Sequence, residues 1–424
     1  MAKYGPLFTH WSRDWDDIDI VDVVKKCAQA GADCMEMHNW VIQDWPDHKL
    51  QDFRRLYEDL GVDVAYWCGF TPETNIFSAD PAIREAATAK IIRDIRFVEK
   101  MGGRILDGTY VQPWNMGLEG RDRREALDTS VACFKEMAKV AEECGVMLSM
   151  EILNRFEGVL INTMAEAVEV LDRVESPNVQ ITADSFHMNI EEDGIASALR
   201  LGGNRVGHIH LGEANRRLPG NGSQINWNEL FGTLRELNYD GMFIFEGFVL
   251  HGGSISEAVR VWRDLSDNAT AEKLTEDLSR SISFVKNKFE GAVPGGLAHI
   301  GVFVSDLDVS KKFYSDLLDF EVLWEGSIPD AKGEIKIALI RNGDLTIELV
   351  RLPDHTPRPD GPVDHIAIRT GDVLKARERI IKAGYTPEGD DISRNDTIFG
   401  TGGRWFFFRG PDGEHIELAD TVSD

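Results

Sequence analysis

Four short apolar runs each end in a side chain able to bind a metal ion: Glu151 in MLSMEILNRFEG, Asp184 in ITADSFHMN, His210 in VGHIHLG and Glu246 in MFIFEGF. Successive spacings of 33, 26 and 36 residues each span about one strand and one helix. Parallel α/β folds place their chemistry at the C-terminal strand ends, where the strand fixes a side chain and the loop beyond is free to vary. The four side chains should therefore converge on one mouth. Three carboxylates and an imidazole form an oxygen-rich donor set, suited to Mn2+ or Co2+, or to Mg2+, better than to structural zinc. A divalent ion chelated by a carbonyl and the neighbouring hydroxyl of a sugar acidifies the intervening C–H bond and stabilises an enediolate. Two carboxylates on opposite sides of that carbon can take the proton from one face and return it on the other. The same groups also suit an isomerase that moves the proton to the adjacent carbon, or a lyase that expels a β-substituent.

These residues need strands and helices in strict alternation, and the chain supplies them. Strands are expected at residues 5–9, 33–37, 62–69, 104–107, 146–151, 179–184, 206–210 and 241–246. Amphipathic helical patterns separate them, at 19–30, 49–60, 81–101, 123–144, 164–174 and 227–237 among others. Gly31, Gly61, Gly102 and Gly145 follow their helices where a left-handed residue is wanted, and Thr163 with Glu166 has capping-box spacing. Eight such units predict an α/β fold, a (β/α)8 TIM barrel over residues 1–290. Residues 291–296 read as a Gly/Pro-containing linker.

Residues 297–424 follow another grammar, an internal repeat. LAHIGVFVSDLDVSKKFYSDLLDF is echoed by PVDHIAIRTGDVLKARERIIKAG, and each half continues into further strands. The expectation is a small α+β domain of two βαβββ modules. His299 and His365 occupy equivalent positions, as do Glu348 and Glu417. Two imidazoles and two carboxylates suit a divalent transition metal: Zn2+, Ni2+, Co2+ or Mn2+.

Forty-six basic and 72 acidic side chains give a formal charge of −26, which argues against nucleic-acid or membrane partners. The five cysteines are odd in number and lack CxxC spacing, as expected for reduced, buried thiols. With no apolar leader at MAKYGPLFTHW and no run of about 18 apolar residues, a cytoplasmic protein is expected.

The strings MEILNRFEG, DSFHMNIEED, HIHLGEANRRLPGNG and GGSISEAVRVWRDLS resemble the ketose 3-epimerases (D-tagatose and D-allulose 3-epimerases) of the xylose-isomerase-like barrel superfamily. The resemblance implies that Glu151, Asp184, His210 and Glu246 bind manganese or cobalt, and that Glu151 and Glu246 move the proton at carbon 3. It further implies that Glu157, His187 and Arg216 hold the first three sugar oxygens, and that Trp15 and Trp114 pack against the sugar. It implies a homo-oligomer, dimer or tetramer. The sequence departs from the family at Gly247, where a proline is usual, at Ala183, where a leucine is usual, and over residues 36–40, 66–77 and 106–116. Those last segments would line the far end of the substrate.

The C-terminal segment resembles the vicinal-oxygen-chelate superfamily, which includes glyoxalase I, and its four-ligand set is closer to glyoxalase I than to the dioxygenases. The leading expectation is a divalent-metal-dependent sugar 3-epimerase, an isomerase acting on a small keto-sugar, fused to a glyoxalase-like metal domain of unassigned activity. The alternative is a lyase, dehydratase or isomerase acting on a 3-keto sugar or an inosose-type keto-polyol, with the C-terminal domain a binding module.

Overall fold

The computed structural model describes residues 2–222, 224–290, 299–343, 345–354, 365–370, 372–395 and 403–421. Within residues 1–295, one of two separate units, eight parallel strands form the inner wall. They are β1 (Lys3–Pro6), β2 (Cys34–His38), β3 (Asp63–Cys68), β4 (Ile105–Gly108), β5 (Met147–Glu151), β6 (Val179–Asp184), β7 (Val206–Leu211) and β8 (Met242–Phe245). From β2 to β8 each pairs with its sequence neighbour, β1 pairs with β8, and a parallel bridge from Leu7, just past β1, to Glu36 closes the ring. That seam is tight: a Cβ on Gly5 would lie 1.5 Å from the Cys34 carbonyl oxygen. β1 is shorter at its C-terminal end than residues 5–9 suggest, because after Pro6 the chain turns, with His10 N–H bonded to the Leu7 carbonyl.

The helices that cover this wall begin and end on local chemistry. Asp19, Asp80 and Asp122 accept N-terminal amides of α1 (Ile20–Gln29), α3 (Pro81–Lys100) and α4 (Arg123–Cys144); α2 is Asp47–Asp59. Thr163 and Glu166 form the capping box of α5 (Met164–Val174). Gly31, Gly61, Gly102 and Gly145 all take positive φ, between 64° and 78°. After β6 come two helices, α6 (Ser185–Glu191) and α7 (Ile195–Gly202), with the break at Asp193-Gly194. After α8 (Trp227–Glu236) and the short α9 (Ser254–Ala258) comes α10 (Ala271–Glu290). α10 ties the chain's first segments to its later ones. The Leu274 carbonyl meets His10 Nε2 at 3.2 Å, Thr275 accepts from Trp11 Nε1 at 3.0 Å, and Ser281 donates to the Pro219 carbonyl at 2.8 Å.

Residues 296–424 form the second unit. It holds two βαβββ modules: β9 (Ile300–Phe303), α11 (Leu307–Leu318), β10 (Glu321–Asp330), β11 (Gly333–Asn342) and β12 (Leu345–Arg351), then β13 (Ile366–Arg369), α12 (Val373–Lys382), β14 (Pro387–Asn395), β15 (Gly403–Arg409) and β16 (His415–Thr421). The sheets run β10-β11-β12-β9 and β13-β16-β15-β14, the same order twice. Both modules feed one apolar core, in which Phe313 of the first packs on Tyr385 and Phe408 of the second. The expected linker, residues 291–296, lies outside the described residues.

Candidate active site and metal centre

Glu151 is the last residue of β5, Asp184 the last of β6, and Glu246 follows β8 directly. Their carboxylates meet: Glu151, Asp184, His187 and Glu246 each offer a ligand atom within 4.8 Å of the others. The fourth member of this group is His187 of α6 rather than His210. His210 stands beside it, with Nδ1 3.1 Å from Glu151 Oε1. Asp184 shows that the donor set suits a cation. Its Oδ1 caps α6 through the Phe186 amide, while the buried Oδ2 makes no hydrogen bond among the described residues. Burial and the Glu246 carboxylate push its carboxyl far above the usual range, a position that a positive ion relieves.

The two glutamates sit in unlike fields. Burial would raise the Glu246 carboxyl, but Arg216, whose Nη1 lies 2.6 Å from Glu246 Oε2, together with His210, Asp184 and His187, holds the group below its ordinary value. Glu151 has no arginine. Burial pushes it up to about 7, against the pull of the His210 imidazole, and its Oε2 accepts from Trp67 Nε1 at 3.2 Å. One carboxyl is thus kept ionised and the other is placed near neutrality.

Arg216 is itself a buried cation, with Asp184 and Glu157 also nearby at 3.7 and 3.4 Å. Its guanidinium lies 3.7 Å from the Phe186 ring centre, within cation–π range. Its backbone takes φ +65°, an uncommon value for a buried non-glycine residue. A tight loop imposes it: Arg216 N–H bonds the Glu213 carbonyl and Glu213 N–H bonds the Arg217 carbonyl. Glu213 is anchored in turn by the Trp227 indole and the Gly220 amide. Glu157 accepts from Trp114 Nε1 at 2.9 Å and from Asn154 Nδ2 at 3.2 Å. The Asn154 backbone N–H donates to His187 Nδ1 at 3.1 Å. That contact fixes the tautomer: with burial keeping the imidazole neutral, Nε2 carries the proton.

Glu157, His187, Arg216, Trp15 and Trp114 all line one cleft of about 510 Å3 together with Glu151 and Glu246. The structure therefore gathers the whole set expected for substrate contact. It adds two residues that sequence reasoning passed over, His38 and Trp67. Their rings stack at 4.4 Å, and His38 also stacks on Trp15 at 5.6 Å. They fall in segments 36–40 and 66–77, already marked as unlike the family, but strand position alone does not separate a cleft aromatic from a core one. Glu36, Asp107 and His208 were also passed over, and all are buried beside His210. For His208 a signal existed: in HIH, residues two apart share one face of a strand.

In the C-terminal unit the four expected ligands form two pairs. His299 Nε2 lies 3.6 Å from Glu348 Oε2, and His365 Nε2 lies 3.4 Å from Glu417 Oε2. In each module the glutamate is in register with the residue two beyond the histidine, Gly301 and Ala367 respectively. Among the described residues, the clusters of three or more ligand-type side chains both lie in the barrel.

Comparison with known proteins agrees with this geometry. The family model described as a xylose isomerase-like TIM barrel matches residues 24–265. That of the glyoxalase/bleomycin resistance protein/dioxygenase superfamily matches residues 296–418. The D-psicose 3-epimerase of Enterocloster bolteae is 36% identical over 292 residues, covering 68% of this chain and 96% of the relative. That of Agrobacterium fabrum is 34% identical over 283 residues, covering 66% and 97%. The crystal structure of D-psicose 3-epimerase with D-tagatose from Clostridium cellulolyticum H10 matches with a TM-score of 0.65 and 33% identity, covering 68% of this chain and 99% of that one.

Proposed function

The chain belongs to the xylose isomerase-like TIM-barrel family, with a glyoxalase-superfamily domain following the barrel, and from that premise we propose that it epimerises a ketose at carbon 3 by passing a proton between Glu246 and Glu151. The observation that carries this reading is the unequal pair of carboxylates at one cleft. Glu246, kept ionised by Arg216, takes the proton from one face; Glu151, with its carboxyl near 7, returns one on the other. In the reverse direction the roles exchange. Glu151, Asp184, His210 and Glu246 would hold a manganese or cobalt ion, with His187 next to them. That ion supplies a Lewis acid for the carbonyl and hydroxyl oxygens flanking the reacting carbon. His187, its Nε2–H directed by the Asn154 amide, and Arg216 would donate to the sugar oxygens, and Glu157 would accept from a hydroxyl. Trp15 and Trp114 wall the cleft against water. The D-psicose 3-epimerases at 34–36% identity support a free ketose as substrate.

The test is a panel of ketohexoses and ketopentoses incubated with manganese in heavy water. Deuterium at carbon 3 of recovered ketose, together with the 3-epimer, is the expected result. An unsaturated product absorbing in the ultraviolet, without labelled ketose, would instead establish a dehydratase. For the C-terminal unit we infer a divalent transition metal held by His299, Glu348, His365 and Glu417. Metal analysis of the isolated domain checks this, and a domain that binds none is a binding module.

A further inference from the structure

The ring of His210 has two nitrogens, and only Nδ1 faces the cleft carboxylates. Its other edge looks into a second group of ligand-type side chains: Glu36 from β2, Asp107 from β4 and His208 from β7, every one buried. Each of these, like His210, offers a ligand atom within 4.8 Å of the rest. We propose that Glu36, Asp107 and His210, with His208 orienting Glu36, form a second cation site that takes a first-row divalent transition ion; with an ion also bound at Nδ1, the Nε2 proton leaves to solvent and the His210 ring bridges the two ions as an imidazolate. The site stands on its own residues; only the bridging role of His210 rests on the cleft reading above.

Three observations support it. His210 Nε2 is 3.2 Å from Glu36 Oε1 and 3.3 Å from Asp107 Oδ2, yet neither oxygen is placed to accept a hydrogen bond from it. All three atoms are buried and lack any hydrogen bond among the described residues. With metal–ligand bonds of about 2.1 Å, neighbouring ligand atoms stand about 3.0 Å apart at octahedral corners and about 3.4 Å apart at tetrahedral ones. The observed spacings fall between those values.

The second oxygen of each carboxylate is already engaged, which fixes the inward atoms. Thr182 Oγ1 donates to Asp107 Oδ1 at 2.5 Å, and His208 Nε2 holds Glu36 Oε2 at 2.8 Å. Such outer contacts commonly orient metal-binding carboxylates.

Charge points the same way. Around His210 the enclosed carboxylates are Glu36, Asp107, Glu151, Asp184 and Glu246, while Arg216 is the cation paired with this group. A divalent ion among Glu36, Asp107 and His210 would offset part of this enclosed acidic excess, which is costly to bury without a counter-charge. An imidazole with two carboxylates favours zinc, cobalt or manganese over calcium.

The decisive experiment is anomalous diffraction from crystals of the full chain grown with Mn2+, joined to metal counts on the chain and its Asp107→Asn variant. A manganese peak between Glu36, Asp107 and His210, with one ion equivalent per chain lost in Asp107→Asn, is the expected result. A peak in the cleft but none at the second position overturns the proposal and leaves His210 as a ligand of the cleft ion alone. A peak at the second position with none in the cleft supports the proposal and overturns the cleft reading alone. The peak on the unaltered chain decides the matter even where Asp107→Asn does not fold.

Discussion

Glu151 and Glu246 are the same functional group in two electrostatic environments, and most of the expected chemistry follows from that contrast. Glu246→Gln removes one acid–base partner while keeping its size. Turnover should fall by about 100- to 10,000-fold with an unchanged circular dichroism spectrum, and ordinary turnover would refute the proton path. Arg216→Ala removes the cation that opposes burial at Glu246, so that carboxyl should rise. The acid limb of the kcat/KM profile is then expected to move to higher pH, which a pH–rate series reads directly. In the ion-free protein Glu151 is close to half-protonated at neutral pH, its carboxyl lying at about 7. Loading the cleft with manganese should therefore release protons, and affinity should weaken as pH falls below 7. Calorimetry in buffers of different ionisation enthalpy measures this. Glu151, Asp184 and Glu246 were legible in the sequence because a strand end is a position with one address in the fold. His38 and Trp67 were not, because an aromatic ring at a strand end suits an apolar core as well as a cleft.

Among the elements, the eight strands were legible to within three residues at either end, because runs of buried residues bounded by helix caps leave little freedom of register. The break between α6 and α7 was harder to see, since Asp193-Gly194 interrupts a helical pattern without a proline. Two elements carry testable stability terms. At the seam of β1 and β2, Gly5→Ala forces a Cβ against the Cys34 carbonyl; a loss of about 3 kcal/mol or more in chemical denaturation is expected. Against α10, burial lowers the His10 imidazole to about 4. A folded value below the unfolded one means that this stabilising contribution is complete above about pH 6.5 and is lost as pH falls towards 4. The difference amounts to roughly 3 kcal/mol, and His10→Gln should remove that part of the pH dependence of unfolding.

The whole molecule is two units with separate apolar cores. The change of grammar near residue 296 was visible because a helical period gave way to a repeated strand–helix–strand pattern. What the repeat did not reveal is that the four C-terminal ligands stand as two histidine–glutamate pairs, a matter of how two modules face each other rather than of spacing within either. If the ligand sets proposed for the two units both chelate neighbouring oxygens, a shared pathway is the reading we propose for the fusion. It predicts that the intact chain converts some keto-sugar further than residues 1–290 alone, and identical product profiles would exclude it.

α10 has one more consequence, and it concerns synthesis. His10, Trp11 and the loop at Pro219 all wait for partners between Leu274 and Ser281, so the barrel cannot fasten its first segments until nearly all of it has been translated. A further 134 residues then follow residue 290, which at about 5–20 residues per second gives roughly 7 to 27 seconds. The barrel thus has time to close on the ribosome before the second unit exists to compete for its exposed apolar strands.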